Sequence, residues 1–67
     1  MNLDELTAKI LGLEPGRALE FQQGYVVRLA AVGKVQSFCI VPQSGWTQWR
    51  NDARGAALVV REWNLTE

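Results

Sequence analysis

Histidine is absent from this sequence, and cysteine occurs only once. Without histidine, the side chain that most often serves as a general acid or base is missing. A single cysteine excludes an internal disulfide, and a zinc site would need carboxylates almost alone. The glycines are scattered as turn formers and do not build a phosphate-binding loop. We therefore predict a protein that is not an enzyme and that uses no metal or cofactor.

An excess of charge of either sign is also missing, because seven Lys and Arg residues balance seven Asp and Glu residues. A zero net charge disfavours a protein whose main partner is the phosphate backbone of a nucleic acid. No apolar run approaches the roughly 20 residues that a membrane-spanning helix needs. The acidic start also lacks the apolar segment of a signal peptide. We therefore expect a cytoplasmic protein.

The length of the chain limits its core. A chain of 67 residues makes one domain, residues 1–67, and buries only about 60% of the surface that its unfolded chain exposes. Hydrophobic residues make up 48% of the sequence, which favours folding over disorder. We expect a thin core and a free energy of unfolding near the low end, about 5 kcal/mol.

The first predicted element is a short amphipathic helix over residues 2–12. Asn2 is a favourable N-cap, and Glu5 can complete a capping box with it. Gly12 follows at the position where many helices end in a left-handed residue. So short a helix is unstable alone, and its apolar stripe must pack against a sheet. That stripe consists of Leu3, Leu6, Ile10 and Leu13.

Three runs of strand-forming residues follow a turn at Glu14-Pro15-Gly16-Arg17, whose Pro and Gly positions are those of type II. A three-residue loop that ends at Gly24 joins the first two runs, and a two-residue turn at Gly33-Lys34 joins the next two. The runs therefore form an antiparallel meander. We predict its strands over residues 17–22, 25–32 and 35–41.

The two turns predict which side chains share a face of the meander. Through the first turn Phe21 faces Tyr25, and through the second turn Val32 faces Val35. Both turns place the same apolar set on one face, an agreement that a one-residue slip would destroy. The predicted core face consists of Leu19, Phe21, Tyr25, Val27, Leu29, Phe38 and Ile40. The opposite, mixed face consists of Glu20, Val26, Arg28, Ala30, Ser37, Cys39 and Val41.

The last third of the chain has a less regular pattern. Residues 46–50 are either a short strand or a single helical turn. Residues 57–63 are predicted as a strand because Leu58-Val59-Val60 is a compact apolar run. A helix is the alternative, since helical spacing also relates Ala56, Val60 and Trp63.

These elements define an α+β domain, in which a short N-terminal helix packs on a curved, four- to five-stranded antiparallel sheet. Closure of that sheet towards a small barrel would remove its edges.

Cys39 is the one candidate nucleophile. It lies inside the third predicted strand, where a free cysteine usually serves packing. In the predicted register Arg28 lies opposite Cys39, and a neighbouring guanidinium would lower the pKa of the thiol. We interpret Cys39 as a packing residue.

Three tryptophans are many for a chain of this length, and Trp46 and Trp49 lie three residues apart. Trp and Arg are enriched where protein interfaces concentrate their binding energy. The alternative is that two of the three indoles close the open end of the sheet. The predicted partner-binding residues are Trp46, Trp49, Arg50, Arg54, Arg28 and Arg61.

Two functions fit these residues. The first is a protein-binding module without chemistry, whose small size suggests a phage or mobile-element accessory protein that inhibits a host enzyme or defence complex stoichiometrically. In that case part of the mixed face could instead form a homodimer contact. The second is a single-stranded nucleic-acid-binding domain in which the indoles stack on bases. A collapse of oligonucleotide affinity with salt would favour the second function.

Overall fold

The computed structural model describes residues 2–31, 33 and 35–62. Its strands form one four-stranded antiparallel sheet in which each strand pairs with the next along the chain, with a helix before and after the sheet. The predicted α+β class, N-terminal helix and antiparallel meander are confirmed. The elements are α1 (Leu3–Leu11), β1 (Ala18–Phe21), β2 (Gly24–Arg28), β3 (Phe38–Pro42), β4 (Gln48–Arg50) and α2 (Ala53–Glu62).

Helix α1 begins at the predicted capping box. The Asn2 side chain accepts a hydrogen bond from the Glu5 N–H at 2.8 Å, and the Asn2 amide donates to the Glu5 carboxylate at 2.9 Å. The helix ends at Gly12, whose φ of −77° is right-handed rather than left-handed as predicted. The type II turn then forms as expected, because Arg17 N–H donates to Glu14 C=O at 2.9 Å and Gly16 has a φ of 85°.

The middle strand of the meander lies one residue out of the predicted register. Phe21 pairs with Gly24 rather than with Tyr25, and the pairing of β2 with β3 is shifted by the same single residue. Because side chains alternate along a strand, a shift of one residue reverses the faces of the whole strand. Val26 and Arg28, which were expected on the mixed face, therefore lie on the core face.

The length of the first turn explains this shift. Gln22 and Gln23 form a two-residue turn, and Gly24 already belongs to β2. Gly24 has a φ of 150°, and a Cβ at this position would lie 2.9 Å from the Cα of Pro42. Only glycine permits so close an approach of two backbones. The glycine that was expected in the turn is thus required inside the sheet.

The connection between β2 and β3 is longer than the predicted hairpin. Strand β2 ends at Arg28 and β3 begins at Phe38, so the strands are shorter than the predicted ranges 25–32 and 35–41. The ladder continues for one more hydrogen bond, from Leu29 N–H to Ser37 C=O at 2.9 Å. The predicted pairing of Val32 with Val35 lies outside the described residues.

Helix α2 replaces the predicted strand over residues 57–63. The Asp52 side chain accepts a hydrogen bond from the Gly55 N–H, and the Ala56 N–H donates to the Asp52 carbonyl at 3.1 Å, so Asp52 is the N-cap. In a helix, one set of small and β-branched side chains faces the core together. In a strand, the same side chains would alternate between the two faces. These buried residues are Ala53, Ala56, Ala57, Val59 and Val60. Trp63 lies outside the described residues.

The domain has two layers. Helices α1 and α2 contact each other, and α2 packs on β3 and β4. The core between the layers includes the fully buried side chains of Val26, Phe38 and Ile40. The sheet is not closed, so the expected tendency towards a barrel was wrong, and β1 and β4 are its edges. Neither described helix has the length and apolar character needed to span a membrane.

Candidate protein-binding face

The sheet turns one face to the helices and leaves the other without a helical cover among the described elements. The pairing of β1 with β2, β2 with β3 and β3 with β4 fixes which side chains share this second face. We call it the open face. It consists of Ala18, Glu20, Tyr25, Val27, Cys39, Val41 and Trp49.

Apolar and aromatic groups dominate the open face. Glu20 is its one charged residue, and it lies on the edge strand β1. Tyr25 is 40% exposed, while Val27 and Val41 beside it are half-buried. The sequence placed Tyr25 and Val27 in the core, and the one-residue shift of β2 brings them to the open face instead.

Both described tryptophans are exposed, and both lie in the chain's last described hairpin, which joins β3 to β4. Trp49 lies in β4 opposite Cys39 and is 56% exposed, and Trp46, in the loop before β4, is 91% exposed. A folded domain does not gain stability from apolar surface that stays in water. The exposure predicted for a partner anchor is therefore present at both positions.

Arg50 follows Trp49 but its side chain starts on the opposite face of β4. Its guanidinium turns back along the strand and donates to the Trp49 carbonyl at 2.7 Å and to the Gln48 side chain at 3.0 Å. Its aliphatic part lies over α2, because a Cβ at Gly55 would be 3.4 Å from the Arg50 Cδ. Arg50 thus borders the open face at the edge of the sheet.

Arg28 does not join the tryptophans. Its guanidinium donates to the Leu11 carbonyl at 3.3 Å and to the Leu13 carbonyl at 2.7 Å, just beyond the last turn of α1. Carbonyls at a helix C-terminus lack intrahelical partners, and a cation satisfies them well. Arg28 therefore ties α1 to the sheet, and its position is explained by the fold.

The two arginines of α2 lie on the outer surface of the helical layer. Arg54 approaches Asp4 of α1 with a distance of 3.6 Å between its Nη1 and the carboxylate oxygen. Both groups are largely exposed, so the pair contributes little to stability. Arg61 is exposed in the last turn of α2. Neither residue shares a surface with the open face of the sheet.

Cys39 lies at the centre of the open face, between Val27 and Trp49. It is only 8% exposed, and burial raises the pKa of its thiol. The expectation that Arg28 could lower this pKa was wrong, because the shift of β2 turns Arg28 to the other face of the sheet. At neutral pH Cys39 is therefore a protonated thiol that fills space.

A shallow groove lies beside the open face, at the end of the sheet where β1 turns into β2. Its volume is about 500 Å³. No cation lines the groove, and its lining includes only one potential metal ligand, Glu20. Among the described residues, no group of three His, Cys, Asp or Glu side chains could hold a metal ion. The groove is lined by Glu20, Phe21, Gln22, Gly24, Tyr25, Pro42 and Gln43.

Comparison of the chain with protein-family models, with curated proteins and with solved structures gives no match.

Proposed function

We propose that this protein is a non-enzymatic protein-binding module, and that it contacts its partner through the open face together with Trp46. One observation carries the proposal: an indole that is 56% exposed, Trp49, lies on a sheet face where Glu20 is the only charge, and a second indole, 91% exposed, precedes it by three residues in the adjoining loop. Depletion of charge and enrichment of aromatic side chains and Arg characterise the centre of protein interfaces.

The size of this surface is compatible with a specific interface. An aromatic side chain buries about 150–250 Å² when it is covered. Trp46, Trp49 and Tyr25 could therefore supply roughly half of the ~800 Å² that each partner buries in a standard interface. Arg50 would add a cation at the rim, where its guanidinium is already ordered by the Trp49 carbonyl.

Such a domain acts by occupying its partner. Histidine, which most often serves as a general acid or base, is absent from the chain, and its one cysteine is buried. We therefore propose that binding alone produces the effect, as in a stoichiometric inhibitor of a host enzyme or defence complex encoded by a phage or mobile element.

The single-stranded nucleic-acid function is less well supported by the geometry. Tyr25 and Trp49 could stack on bases, but a backbone-tracking groove needs cations beside such a platform. Arg28 faces the helices, and Arg54 lies on the outer helical surface. The open face itself carries Glu20 instead of a cation.

The proposal predicts that partner binding depends on the indoles and not on exposed apolar groups in general. We would immobilise the wild-type domain, Trp46→Ala, Trp49→Ala and Leu58→Ala, and expose each to lysate of the source cell. Leu58 is the matched control, because it is 47% exposed but lies on α2, in the helical layer. Bound proteins are identified and quantified after a high-salt wash.

We expect a protein that is retained in stoichiometric amount by the wild type and by Leu58→Ala. Either tryptophan substitution should reduce its affinity at least about 30-fold, since interface anchors contribute more than about 2 kcal/mol. Equal retention by all four proteins would refute the role of the indoles. Recovery of nucleic acid alone, with loss at rising salt, would refute the protein-binding function and support the nucleic-acid function.

A further inference from the structure

The two edges of the sheet are not equivalent, and the difference follows from the hydrogen-bond alternation. Leu29 N–H donates to Ser37 C=O and Gln43 N–H donates to Gln23 C=O, so odd-numbered residues of β3 bond to β2. Even-numbered residues of β3 consequently bond to β4, where they pair with Gln48 and Arg50. The backbone N–H and C=O of Trp49 therefore point to the free edge of β4.

A charged side chain occupies that edge. The Arg50 guanidinium lies against it and donates to the Trp49 carbonyl at 2.7 Å. The strand is also short, with the three residues Gln48–Arg50. Short length and a cation laid along the edge are devices by which proteins prevent the pairing of edge strands.

Strand β1 is also short, with the four residues Ala18–Phe21, but no described side chain is hydrogen-bonded to its outward backbone groups as Arg50 is to Trp49. Arg28 N–H donates to Arg17 C=O at 3.1 Å, so odd-numbered residues at this edge bond to β2. By the same alternation, the N–H and C=O groups of Ala18 and Glu20 point away from the sheet. Both residues are exposed, and within the described part of the chain neither backbone makes a hydrogen bond outside the sheet.

We propose that a second copy of this chain pairs with the free edge of β1, antiparallel, with Leu19 opposite Leu19 of the second copy. In this register Ala18 of each copy lies opposite Glu20 of the other, and the two outward-facing residues of each strand can exchange all their backbone hydrogen bonds. The result is a continuous eight-stranded sheet with both helical layers on the same side.

The edge itself selects this register. Centring the pair on Glu20 would place two carboxylates opposite each other, which is unfavourable. Centring it on Ala18 would oppose Glu20 to Gly16, which lies in the turn before β1 and bonds to Arg28 C=O. The register centred on Leu19 avoids both conflicts and brings together two half-buried leucines at the edge of the core.

The edge of β1 is complementary to itself in this register, which favours a second copy as the partner, and the blocked edge of β4 stops the assembly at two. Pairing of β1 with β1 is isologous, so it uses the same patch on both copies and closes. Growth into a longer sheet would need β4 as an acceptor, and Arg50 occupies that edge. The zero net charge of the chain also removes long-range repulsion between copies.

Sedimentation equilibrium of the intact chain, from about 1 μM to about 1 mM, tests the proposal with one variant and its control. In Glu20→Pro the lost N–H points outwards, so an intermolecular bond is removed while the ladder to β2 is kept. The control Glu20→Thr removes the same carboxylate but keeps the N–H. We expect a wild-type dimer, an unchanged Thr variant, and a Pro variant whose dissociation constant is at least tenfold higher.

A crosslinking experiment covers the case in which Glu20→Pro does not fold. In a Cys39→Ser background, Leu19→Cys places two thiols opposite each other at a non-hydrogen-bonded position, where Cβ atoms are about 4.5–5.5 Å apart. Glu20→Cys is the control, since its thiol is more exposed but faces Ala18. Oxidation with diamide should link Leu19→Cys dimers at least tenfold faster.

The proposal is overturned by a wild-type monomer at every concentration, by a Glu20→Pro dimer as tight as the wild type, or by equal crosslinking of the two cysteine variants. Loss of the dimer in Trp49→Ala would also overturn it, because the copies would then meet through the open face. The open face stays free in the proposed dimer, so partner binding and dimer formation can fail independently.

Discussion

The two faces of the sheet are built from the same strands but use their side chains for different purposes. On the face towards the helices, Val26, Phe38 and Ile40 have no exposed surface. On the open face, Tyr25 and Trp49 keep 40% and 56% of their surface in water. Tyr25 and Val26, which are adjacent in sequence, therefore differ in exposure, whereas Cys39 is buried although it lies on the open face. Burial on the face towards the helices contributes stability, and the open face keeps apolar surface in water.

Truncation of a side chain on the face towards the helices should have the largest effect on the free energy of unfolding. Phe38 is fully buried in the centre of the core, so Phe38→Ala should lower the free energy of unfolding by about 3–5 kcal/mol. That is most of the stability expected for so small a domain. Urea denaturation followed by circular dichroism measures the loss. Val41→Ala, on the open face of the same strand, is the control and should cost less than half as much.

A loss of less than about 1 kcal/mol in Phe38→Ala would mean that Phe38 does not lie in a well-packed core, because truncation of a core side chain to alanine lowers the free energy of unfolding by more than that.

Substitution of Gly24 should have the next largest effect, since it tests the register that assigns side chains to faces. A side chain there must adopt a positive φ and would collide with the backbone at Val41 and Pro42. We expect Gly24→Ala to cost about 2–4 kcal/mol in urea denaturation. Gly16→Ala is the matched control, because its φ is also positive, at 85°, but no atom lies within 4 Å of the added Cβ.

The control should therefore show only the backbone penalty of about 1–2 kcal/mol. Equal costs at Gly24 and Gly16 would mean that the backbones do not approach each other at Gly24, and the observed register would lose its explanation.

Local signals in the sequence were sufficient for part of the fold. The capping box at Asn2 and Glu5 and the Pro-Gly turn before β1 act over four residues, and both form as predicted. The order of the meander follows from short connections between strands. These features could be predicted because no distant part of the chain decides them.

The register of β2 depended on information that the sequence pattern does not contain. Val26 and Val27 are identical, so either could face the core. Gln22-Gln23-Gly24 fits a turn of two or of three residues, and the choice depends on how closely Gly24 must approach Pro42 of β3. The length of this turn is therefore decided by a contact between residues that are 18 positions apart in the chain, and the local sequence signal alone suggested the wrong length.

Helix α2 shows the same limit for secondary structure. Leu58-Val59-Val60 resembles a strand because β-branched residues favour strands. Two weaker signals favour the helix: Asp52 as an N-cap, and the spacing of Ala53, Ala56 and Val60 along one face. Packing of that face on β3 and β4 overrides the local preference.

The exposure of the two tryptophans was predictable, whereas the positions of Tyr25 and Arg28 were not. Exposure of Trp46 and Trp49 agrees with the argument that a thin core has little room for indoles. Arg28 was assigned to the same site, but its face depends on the register of β2, and the register places it against the end of α1.

The smallest effect on stability should come from the open face. Trp49 is as large an apolar residue as the chain contains, yet more than half of its surface already contacts water. Trp49→Ala should therefore cost only about 2 kcal/mol in urea denaturation, because less than half of the indole is buried. The same substitution should abolish most partner affinity, whereas Phe38→Ala should lower stability first. If Trp49→Ala unfolds the domain, Trp49 is a core residue, because only loss of a buried anchor removes that much free energy, and the open face is then a second layer of the core rather than a binding surface.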